Sequence, residues 1–207
     1  MLGFFDYTVI ATYVSLISGV CGITFALNGS PMVAIFFLMV SGLLDMFDGK
    51  IAATKERTLP EKRFGIQTDS LADMVNFGVL PAVIGYAVGL NTPGFIPVFA
   101  AYLLAVLIRL AYFTVCQEAR LTQGDHPFRY YEGFPASYCV LVIPLFYLLR
   151  SLIGDDLIFR WFYAVMLVGL AVSYVLKFRV IKPNFKGLFI LLGAGVLEFV
   201  LMVWLAK

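Results

Sequence analysis

The chain has 207 residues, of which 61% are apolar, 16% aromatic and 14% charged, and its net charge is +2. Soluble domains carry about 25% charged residues, so this sequence has too few charges to cover a water-facing surface. The composition therefore indicates an integral membrane protein. The small net charge and the dispersed Lys and Arg residues also exclude a nucleic-acid-binding surface, and we expect no nucleic acid partner.

Apolar stretches along the chain predict transmembrane helices, because a helix needs about 20 apolar residues to cross a hydrocarbon core of ~30 Å. In chain order the seven stretches are Tyr7–Leu27, Met32–Thr54, Phe64–Leu90, Phe95–Val115, Phe134–Leu152, Leu157–Leu176 and Phe185–Ala206. We therefore expect an all-α, polytopic membrane helix bundle that forms a single integral membrane domain over residues 1–207.

Positive residues predict the orientation of these helices, because Lys and Arg in short loops favour the cytoplasmic side. The connections after the second, fourth and sixth stretches carry most of the Lys and Arg residues. Arg150, Arg160 and Lys207 lie on the opposite side. We expect a multi-pass protein of the cell membrane with a cytoplasmic N-terminus.

Four aspartates lie in the second and third stretches, where charge is costly and marks a functional site by default. Asp45 and Asp48 are three residues apart. Asp69 and Asp73 are four residues apart. Each spacing places the pair on one face of its helix, and the two helices are consecutive and antiparallel. All four carboxylates are therefore expected to converge at the cytoplasmic end of these helices.

Carboxylates gathered at low dielectric constant repel one another unless cations neutralise them or some stay protonated. Divalent metal ions are the simplest source of that neutralisation. No His or Cys accompanies the acids in residues 45–73, and all-oxygen ligation suits Mg²⁺ or Mn²⁺ rather than zinc. Two such ions, about 4 Å apart, can clamp a pyrophosphate and stabilise its departing oxygen.

Small residues lie beside the acids at Gly49, Ala52 and Gly65. They allow a large phosphate ligand to approach the backbone. A structural alternative is that the acids pair with Lys and Arg of the connecting loop, and that the small residues permit close helix packing. The combination of four acids with three small residues favours a ligand.

The same residues resemble a known signature. Residues 45–52 read DMFDGKIA, and residues 65–73 read GIQTDSLAD. They resemble the signature of the CDP-alcohol phosphotransferase family, D-x-x-D-G-x-x-A-R followed by G-x-x-x-D-x-x-x-D. Residues 64–82, together with RLAYF at 109–113 and YYEGFP at 130–135, are similar more narrowly to the phosphatidylserine synthase branch. The resemblance covers residues 12–135.

The resemblance implies a six-helix core, to which the seventh stretch adds a C-terminal transmembrane helix. It implies transfer of a phosphatidyl group from CDP-diacylglycerol to L-serine with release of CMP, a step of phospholipid biosynthesis. It further implies two bound divalent ions, Mg²⁺ or Mn²⁺. It also implies that membrane lipids surround the protein and that the protein forms a homodimer.

The family also implies roles for individual residues. Asp45, Asp48 and Asp69 are expected to bind metal. Asp73 is expected to act as a further ligand or as the general base that takes the proton of the acceptor hydroxyl. The residues expected to flank the cytidine diphosphate are Gly49, Ala52 and Gly65.

One position departs from the signature, whose Arg is replaced here by Ala53. A guanidinium that would meet the pyrophosphate is absent at that place. Lys50, Lys55 and Arg57 are the nearby candidates to replace it. A Lys side chain, however, supplies a point charge and cannot donate the two parallel hydrogen bonds of a guanidinium.

Two further residues are candidates for substrate contacts. Arg109 lies inside an apolar stretch and is expected to face the bundle interior. It would bind a phosphate or the carboxylate of serine there, or form an ion pair with Glu118 or Glu132. Tyr131 either lines the acceptor pocket or anchors the chain at the membrane interface, as aromatic residues commonly do.

Two other functions compete with this interpretation. The first is the same chemistry with another acceptor, such as glycerol phosphate, inositol phosphate or another polar alcohol. It stays open because Tyr112 and Asn76 differ from the residues usual in the serine branch. The second is a cation-coupled membrane transporter that uses the four acids as an ion site, and such a protein would release no CMP.

Overall fold

A computed structural model of the chain describes residues 3–123, 130–177, 179–181 and 185–205. The α-helices are α1 (Tyr7–Leu27), α2 (Pro31–Ala52), α3 (Leu59–Asp73), α4 (Leu80–Ala87), α5 (Ile96–Gln123), α6 (Cys139–Leu148), α7 (Arg150–Ile153), α8 (Asp156–Val175) and α9 (Phe185–Leu205). A π-helical segment, Met74–Val79, joins α3 to α4, and 3₁₀ turns precede α5 and α6. Two short strands, β1 (Tyr130–Glu132) and β2 (Arg179–Ile181), pair antiparallel.

The predicted all-α membrane bundle is confirmed. Within the described residues, five helices are long and apolar enough to cross a membrane. They are Tyr7–Leu27, Pro31–Ala52, Leu59–Ala87, Pro93–Leu121 and Asp156–Val175. Two shorter apolar helices, Ala136–Leu148 and Phe189–Leu205, fall in the fifth and seventh predicted stretches. The chain is a multi-pass membrane protein.

The third and fifth predicted stretches differ from the structure at their ends. The third helix begins at Leu59 rather than Phe64, because Thr58 and Glu61 form a capping box in which the Thr58 backbone N–H donates to Glu61 at 2.7 Å. The prediction of one helix over 134–152 is wrong, since α6 ends at Leu148 and α7 follows it. Pro144 inside α6 removes one helical hydrogen bond and weakens this region as a continuous helix.

Close packing of α1 on its neighbours depends on small residues. A Cβ at Gly19 would overlap Asn76 Oδ1, and one at Gly22 would come within 2.9 Å of the Leu80 side chain. Glycine at these two positions therefore leaves room for the Asn76 and Leu80 side chains against α1. Such small-residue contacts are typical of helix pairs in membranes, where no difference in hydrophobicity drives association. The packing fixes α1 against the helix that carries the second pair of acids.

Candidate active site

Three of the four predicted acids form one cluster. Asp45, Asp48 and Asp69 each offer a carboxylate oxygen, and these oxygens all lie within 4.8 Å of one another. Asp45 and Asp48 belong to the last turns of α2, and Asp69 reaches them from α3. We call these three residues the acid cluster. Their oxygen-only donor set and spacing fit a hard divalent ion such as Mg²⁺ or Mn²⁺.

Asp73 lies one helical turn beyond Asp69 and outside that 4.8 Å set, but it lines the same cavity. The helix changes to π-helical geometry directly after Asp73. Pro81 lacks an N–H, so the carbonyl of Phe77, four residues earlier, loses its usual helical partner. The Tyr102 hydroxyl donates to that carbonyl at 2.7 Å and satisfies it. Such π-helical segments are frequent at functional sites.

Hydroxyl side chains from two other elements lie at the acid cluster. The Thr12 hydroxyl, on α1, donates to Asp48 Oδ2 at 3.3 Å. Ser137, in the turn before α6, lines the same cavity as Asp45. Sequence reasoning missed both residues, because neither belongs to the signature and both come close to the acids only through folding. Outer hydrogen bonds of this kind orient metal-binding carboxylates.

A buried polar ladder ties α1, α2 and the π-helical segment together beneath the site. Asn76 Nδ2 donates to Ser15 Oγ at 2.9 Å, and Ser15 Oγ donates to the Ser41 carbonyl at 3.0 Å. Asn76, Ser15 and Ser41 are all almost inaccessible to solvent. Polar groups in a membrane interior need such partners, so the ladder specifies how the helices that carry the acids align.

The acids face one cavity of about 880 Å³, which is within the range of small-molecule sites. The acid cluster and Asp73 line this cavity, at what we call its polar end, and the basic side chains of Lys50, Arg109 and Arg120 line the cavity as well. Gly49 also lines it, and nothing lies within 4 Å of the position that a Cβ would occupy there. The cavity therefore combines acids that suit cations with cations that suit phosphate or carboxylate groups.

Arg109 is buried, as the sequence predicted, with 6% of its surface exposed. Its Nη2 donates to the carbonyl of Gly133 at 3.4 Å. Gly133 has φ +81°, a backbone conformation that favours glycine, and a Cβ there would lie 3.1 Å from Arg109 Nη1. Of the two predicted ion-pair partners, Glu118 accepts a hydrogen bond from Gln67 at 2.7 Å. The side chain of Glu132 lies outside the described residues.

Three predicted ligand-contacting residues, Ala52, Arg57 and Gly65, do not line this cavity. Arg57 covers Gly65, because its Nη1 is 3.0 Å from the position of a Cβ on that glycine. The Nε of Arg57 is buried and has no hydrogen-bond partner in the described part of the chain. The backbone of Tyr131 lies in β1, and its side chain lies outside the described residues.

An ion pair holds the start of α1 to the connection between α2 and α3. Lys55 Nζ donates to Asp6 Oδ2 at 2.7 Å, and Asp6 also caps α1 by accepting from the Thr8 N–H at 2.7 Å. The hydrogen bonds from Lys55 and Thr8 lower the pKa of Asp6 to about 2. The hydrogen bond to Asp6 in turn raises the pKa of Lys55. Lys55 thus pairs with the N-terminal segment and not with the four intramembrane acids.

The family of the chain follows from a comparison with protein-family models. The model described as CDP-alcohol phosphatidyltransferase matches residues 8–176, which include both pairs of acids and every element from α2 to α8. The chain belongs to the CDP-alcohol phosphatidyltransferase family.

Relatives in three organisms sharpen this assignment, and each is named CDP-diacylglycerol–serine O-phosphatidyltransferase. The chain is 32% identical to that of Mycobacterium leprae over 93% of this chain and 68% of the relative. It is 31% identical to that of Helicobacter pylori (strain ATCC 700392 / 26695) over 86% and 74%. It is 32% identical to that of Saccharomyces cerevisiae over 73% of this chain and only 59% of the relative. No solved structure matches the chain significantly.

Proposed function

We propose that this chain is a CDP-diacylglycerol–serine O-phosphatidyltransferase, which transfers a phosphatidyl group from CDP-diacylglycerol to L-serine and releases CMP. The observation that carries the proposal is the acid cluster at the polar end of a cavity that basic side chains also line. The names of the three relatives support both the lipid donor and the serine acceptor.

The acid cluster would hold two divalent ions, Mg²⁺ or Mn²⁺. Its three carboxylates supply only oxygen ligands within 4.8 Å of one another, which fits these ions. When bound, the ions neutralise the charge of the diphosphate and of the departing CMP oxygen. Thr12 keeps Asp48 oriented for that task through its hydroxyl group.

Asp73 serves as the general base. The hydroxyl oxygen of serine forms a bond to the phosphorus of the phosphatidyl group, and the bond from that phosphorus to the bridging oxygen of CMP breaks. Asp73 accepts the hydroxyl proton, and CMP leaves with the bridging oxygen. Asp73 suits this role because it shares the cavity with the acid cluster and lies outside the 4.8 Å set.

Basic residues position the anionic groups of the substrates. Lys50 and Arg109 line the same cavity as the acids, and Arg109 presents a planar guanidinium that suits a carboxylate or a phosphate. Gly49 leaves room for the diphosphate beside α2. On the family resemblance alone, since they do not line the cavity, we assign Ala52 and Gly65 to the flank of the cytidine diphosphate and Arg57 to its pyrophosphate. We assign Tyr131 to the acceptor pocket.

The protein is proposed to act as one catalytic unit over residues 1–207 in the cell membrane, with its active site facing the cytoplasm. The basic connection between α2 and α3, which joins the helix ends that carry the acids, supports this orientation. Family resemblance supports a homodimer. Light scattering of the detergent-solubilised protein tests that assembly, since a monomer mass would reject it.

The function is tested by CMP release from CDP-diacylglycerol with purified protein in detergent and Mg²⁺ or Mn²⁺. L-serine, glycerol 3-phosphate, inositol phosphate and no acceptor are compared. We expect CMP that depends on serine and disappears with a chelator. CMP release with another acceptor alone would keep the transfer chemistry and reject serine. No release with any acceptor would reject the transferase and favour a cation-coupled transporter.

A further inference from the structure

Helix α5 presents long polar side chains to the cavity that holds the acids. Arg109, Phe113 and Gln117 line this cavity and are spaced by four residues, so they follow one face of the helix. Arg109 suits an anionic group of a substrate. Gln117 lies outside the signature motifs, and its half-buried amide makes no hydrogen bond within the described part of the chain. This amide is therefore available to a ligand in the cavity.

Two contacts between α3 and α5 fix the depth of each residue of α5. The Ser70 and Thr114 hydroxyl oxygens lie 2.5 Å apart, and Gln67 Nε2 donates to Glu118 Oε1 at 2.7 Å. As the residue number falls along α3 it rises along α5, so the two helices are antiparallel. Their register places Gln117 beside the part of α3 that carries the acids.

The acids of α3 lie at depths between Arg109 and Gln117. Gln117 is level with residues 67–68, within roughly 3 Å of the depth of Asp69 at 1.5 Å per residue. Arg109 lies eight residues earlier, roughly 12 Å further into the membrane and beyond the depth of Asp73. A small acceptor whose hydroxyl is beside Asp73 therefore has a guanidinium on one side and an amide on the other.

The chemistry of the other lining residues defines what the amide suits. Lys50, Arg109 and Arg120 are positively charged, so they attract a carboxylate or a phosphate and repel an ammonium group. In the proposed function the aspartates are committed to the metal ions and to the hydroxyl proton. Apart from hydroxyl groups, the carbonyl oxygen of Gln117 is the one uncharged side-chain acceptor among the described residues that line the cavity.

We propose that Gln117 is a specificity-determining residue, whose carbonyl oxygen accepts a hydrogen bond from the ammonium group of the acceptor while Arg109 faces its carboxylate. This inference rests on the proposed function, because only an amino-bearing alcohol such as serine brings an ammonium group beside the reacting hydroxyl. The site then favours a zwitterion over acceptors that carry only negative charge, such as glycerol phosphate and inositol phosphate.

The chain offers a matched pair of glutamines for the test. Gln117→Met removes the amide and keeps the length of the side chain. Gln67→Met is the control, because Gln67 lies at the same depth on α3, is exposed and does not line the cavity. Gln117→Glu tests the direction of the hydrogen bond, since a carboxylate still accepts from an ammonium group but repels another carboxylate.

The experiment compares CMP release with L-serine and with 3-hydroxypropanoate, which is serine without its amino group. We expect Gln117→Met to lower the ratio of the two kcat/KM values, serine over 3-hydroxypropanoate, by roughly tenfold or more, as for loss of a hydrogen bond to a charged group. Gln67→Met should keep the ratio within about twofold. Gln117→Glu should keep the ratio or raise it.

Three results would overturn the ammonium site. They are an unchanged ratio in Gln117→Met, an equal fall in Gln67→Met, and a fall in Gln117→Glu as large as that in Gln117→Met. Activity with 3-hydroxypropanoate shows that each variant is folded. If Gln117→Met is inactive with both acceptors, Gln117→Glu decides alone, and a tenfold lower ratio in that variant rejects the site.

Binding of radiolabelled L-serine in the presence of Mn²⁺ and CDP separates this inference from the proposed function. If the unmodified protein releases no CMP but binds serine, and Gln117→Met alone loses that binding, the proposed function fails and the ammonium site stands. If CMP release depends on serine and Gln117→Met changes neither the ratio nor the binding, the proposed function stands and the ammonium site is rejected. A protein that neither binds serine nor uses it as acceptor overturns both.

Discussion

Two sides of the cavity are built in different ways. On one side, the acid cluster and Asp73 come from two consecutive helices, within 29 residues of sequence. On the other side, α5 brings Arg109 and Gln117, which lie tens of residues further along the chain. The chemistry is thus encoded locally, whereas the contacts that select the acceptor depend on long-range packing. Substitutions on the two sides should therefore affect different properties, turnover on one and acceptor selection on the other.

The largest effect is expected at the acid cluster. Asp69→Asn keeps the shape of the side chain but removes a charge that holds divalent ions, so CMP release should become undetectable and should not return at higher Mg²⁺ or Mn²⁺. The matched control is Asp156→Asn, at an exposed residue that pairs with Arg150 outside the cavity. Comparable loss in both variants would contradict the assignment of the acid cluster.

The Asp73→Asn variant should show whether Asp73 acts as the general base or as a metal ligand. Removal of a general base costs roughly 10²–10⁴-fold in rate. We expect a loss of this size in turnover, with Mn²⁺ binding measured by electron paramagnetic resonance close to that of the unmodified protein. If Mn²⁺ affinity falls as far as it does in Asp69→Asn, Asp73 is a ligand and the proposed base role is wrong.

Thr12→Val tests the hydroxyl that holds Asp48. It preserves the shape of the side chain and removes the hydrogen bond to Asp48 Oδ2. Loss of such outer partners typically lowers metal affinity by about 10–100-fold. Thr24→Val on the same helix is the control, since the Thr24 hydroxyl bonds only to the Val20 carbonyl among the described contacts. The prediction fails if the Mn²⁺ concentration for half-maximal activity moves equally in both variants.

The smallest effect is expected at the Asp6–Lys55 ion pair. Asp6→Asn keeps the cap of α1, because Asn is as good a capping residue as Asp, and removes only the charge. The variant should melt slightly below the unmodified protein, and 1 M salt should reduce the difference. Thermal unfolding in detergent measures both quantities.

The pH dependence of that ion pair has a defined sign. The pKa of Asp6 is lowered from 3.8 to about 2. The contribution of Asp6 to the stability of the folded protein is therefore complete above pH 3.8 and is lost as the pH falls toward 2. The pKa of Lys55 is raised above 10.5, so its contribution is lost only as the pH rises through that raised value. The melting difference between Asp6→Asn and the unmodified protein should therefore be constant from pH 5 to pH 9. A difference that disappears within this range would contradict the ion pair.

Much of the fold and the polar end was predictable from the sequence. Hydrophobic stretches predicted the helices, and the spacing of Asp45, Asp48 and Asp69 predicted their convergence, because helix periodicity is a local property. Thr12 and Ser137 could not be found in this way, since their positions at the site depend on how α1 and the turn before α6 pack. The break between α6 and α7 was missed because hydrophobicity alone does not show where a helix ends.

The part of the cavity that α9 lines was beyond prediction for a related reason. Hydrophobic residues on α9 have the same pattern whether they face lipid, another helix or a cavity. Only the packed structure shows that Gly195 faces α2 and α6 while Gly193 does not. Arg57 gives a further example, because its position against Gly65 rather than in the cavity depends on the path of the α2–α3 connection.

Identification of the lipid product gives the decisive test of the proposed reaction. The purified protein, reconstituted with CDP-diacylglycerol and Mn²⁺ or Mg²⁺, is given ¹³C-labelled L-serine, and lipids and nucleotides are analysed by mass spectrometry. We expect labelled phosphatidylserine and CMP in equal amounts, and neither product from Asp69→Asn. CMP without labelled lipid, or no CMP under any condition, would contradict the proposed reaction.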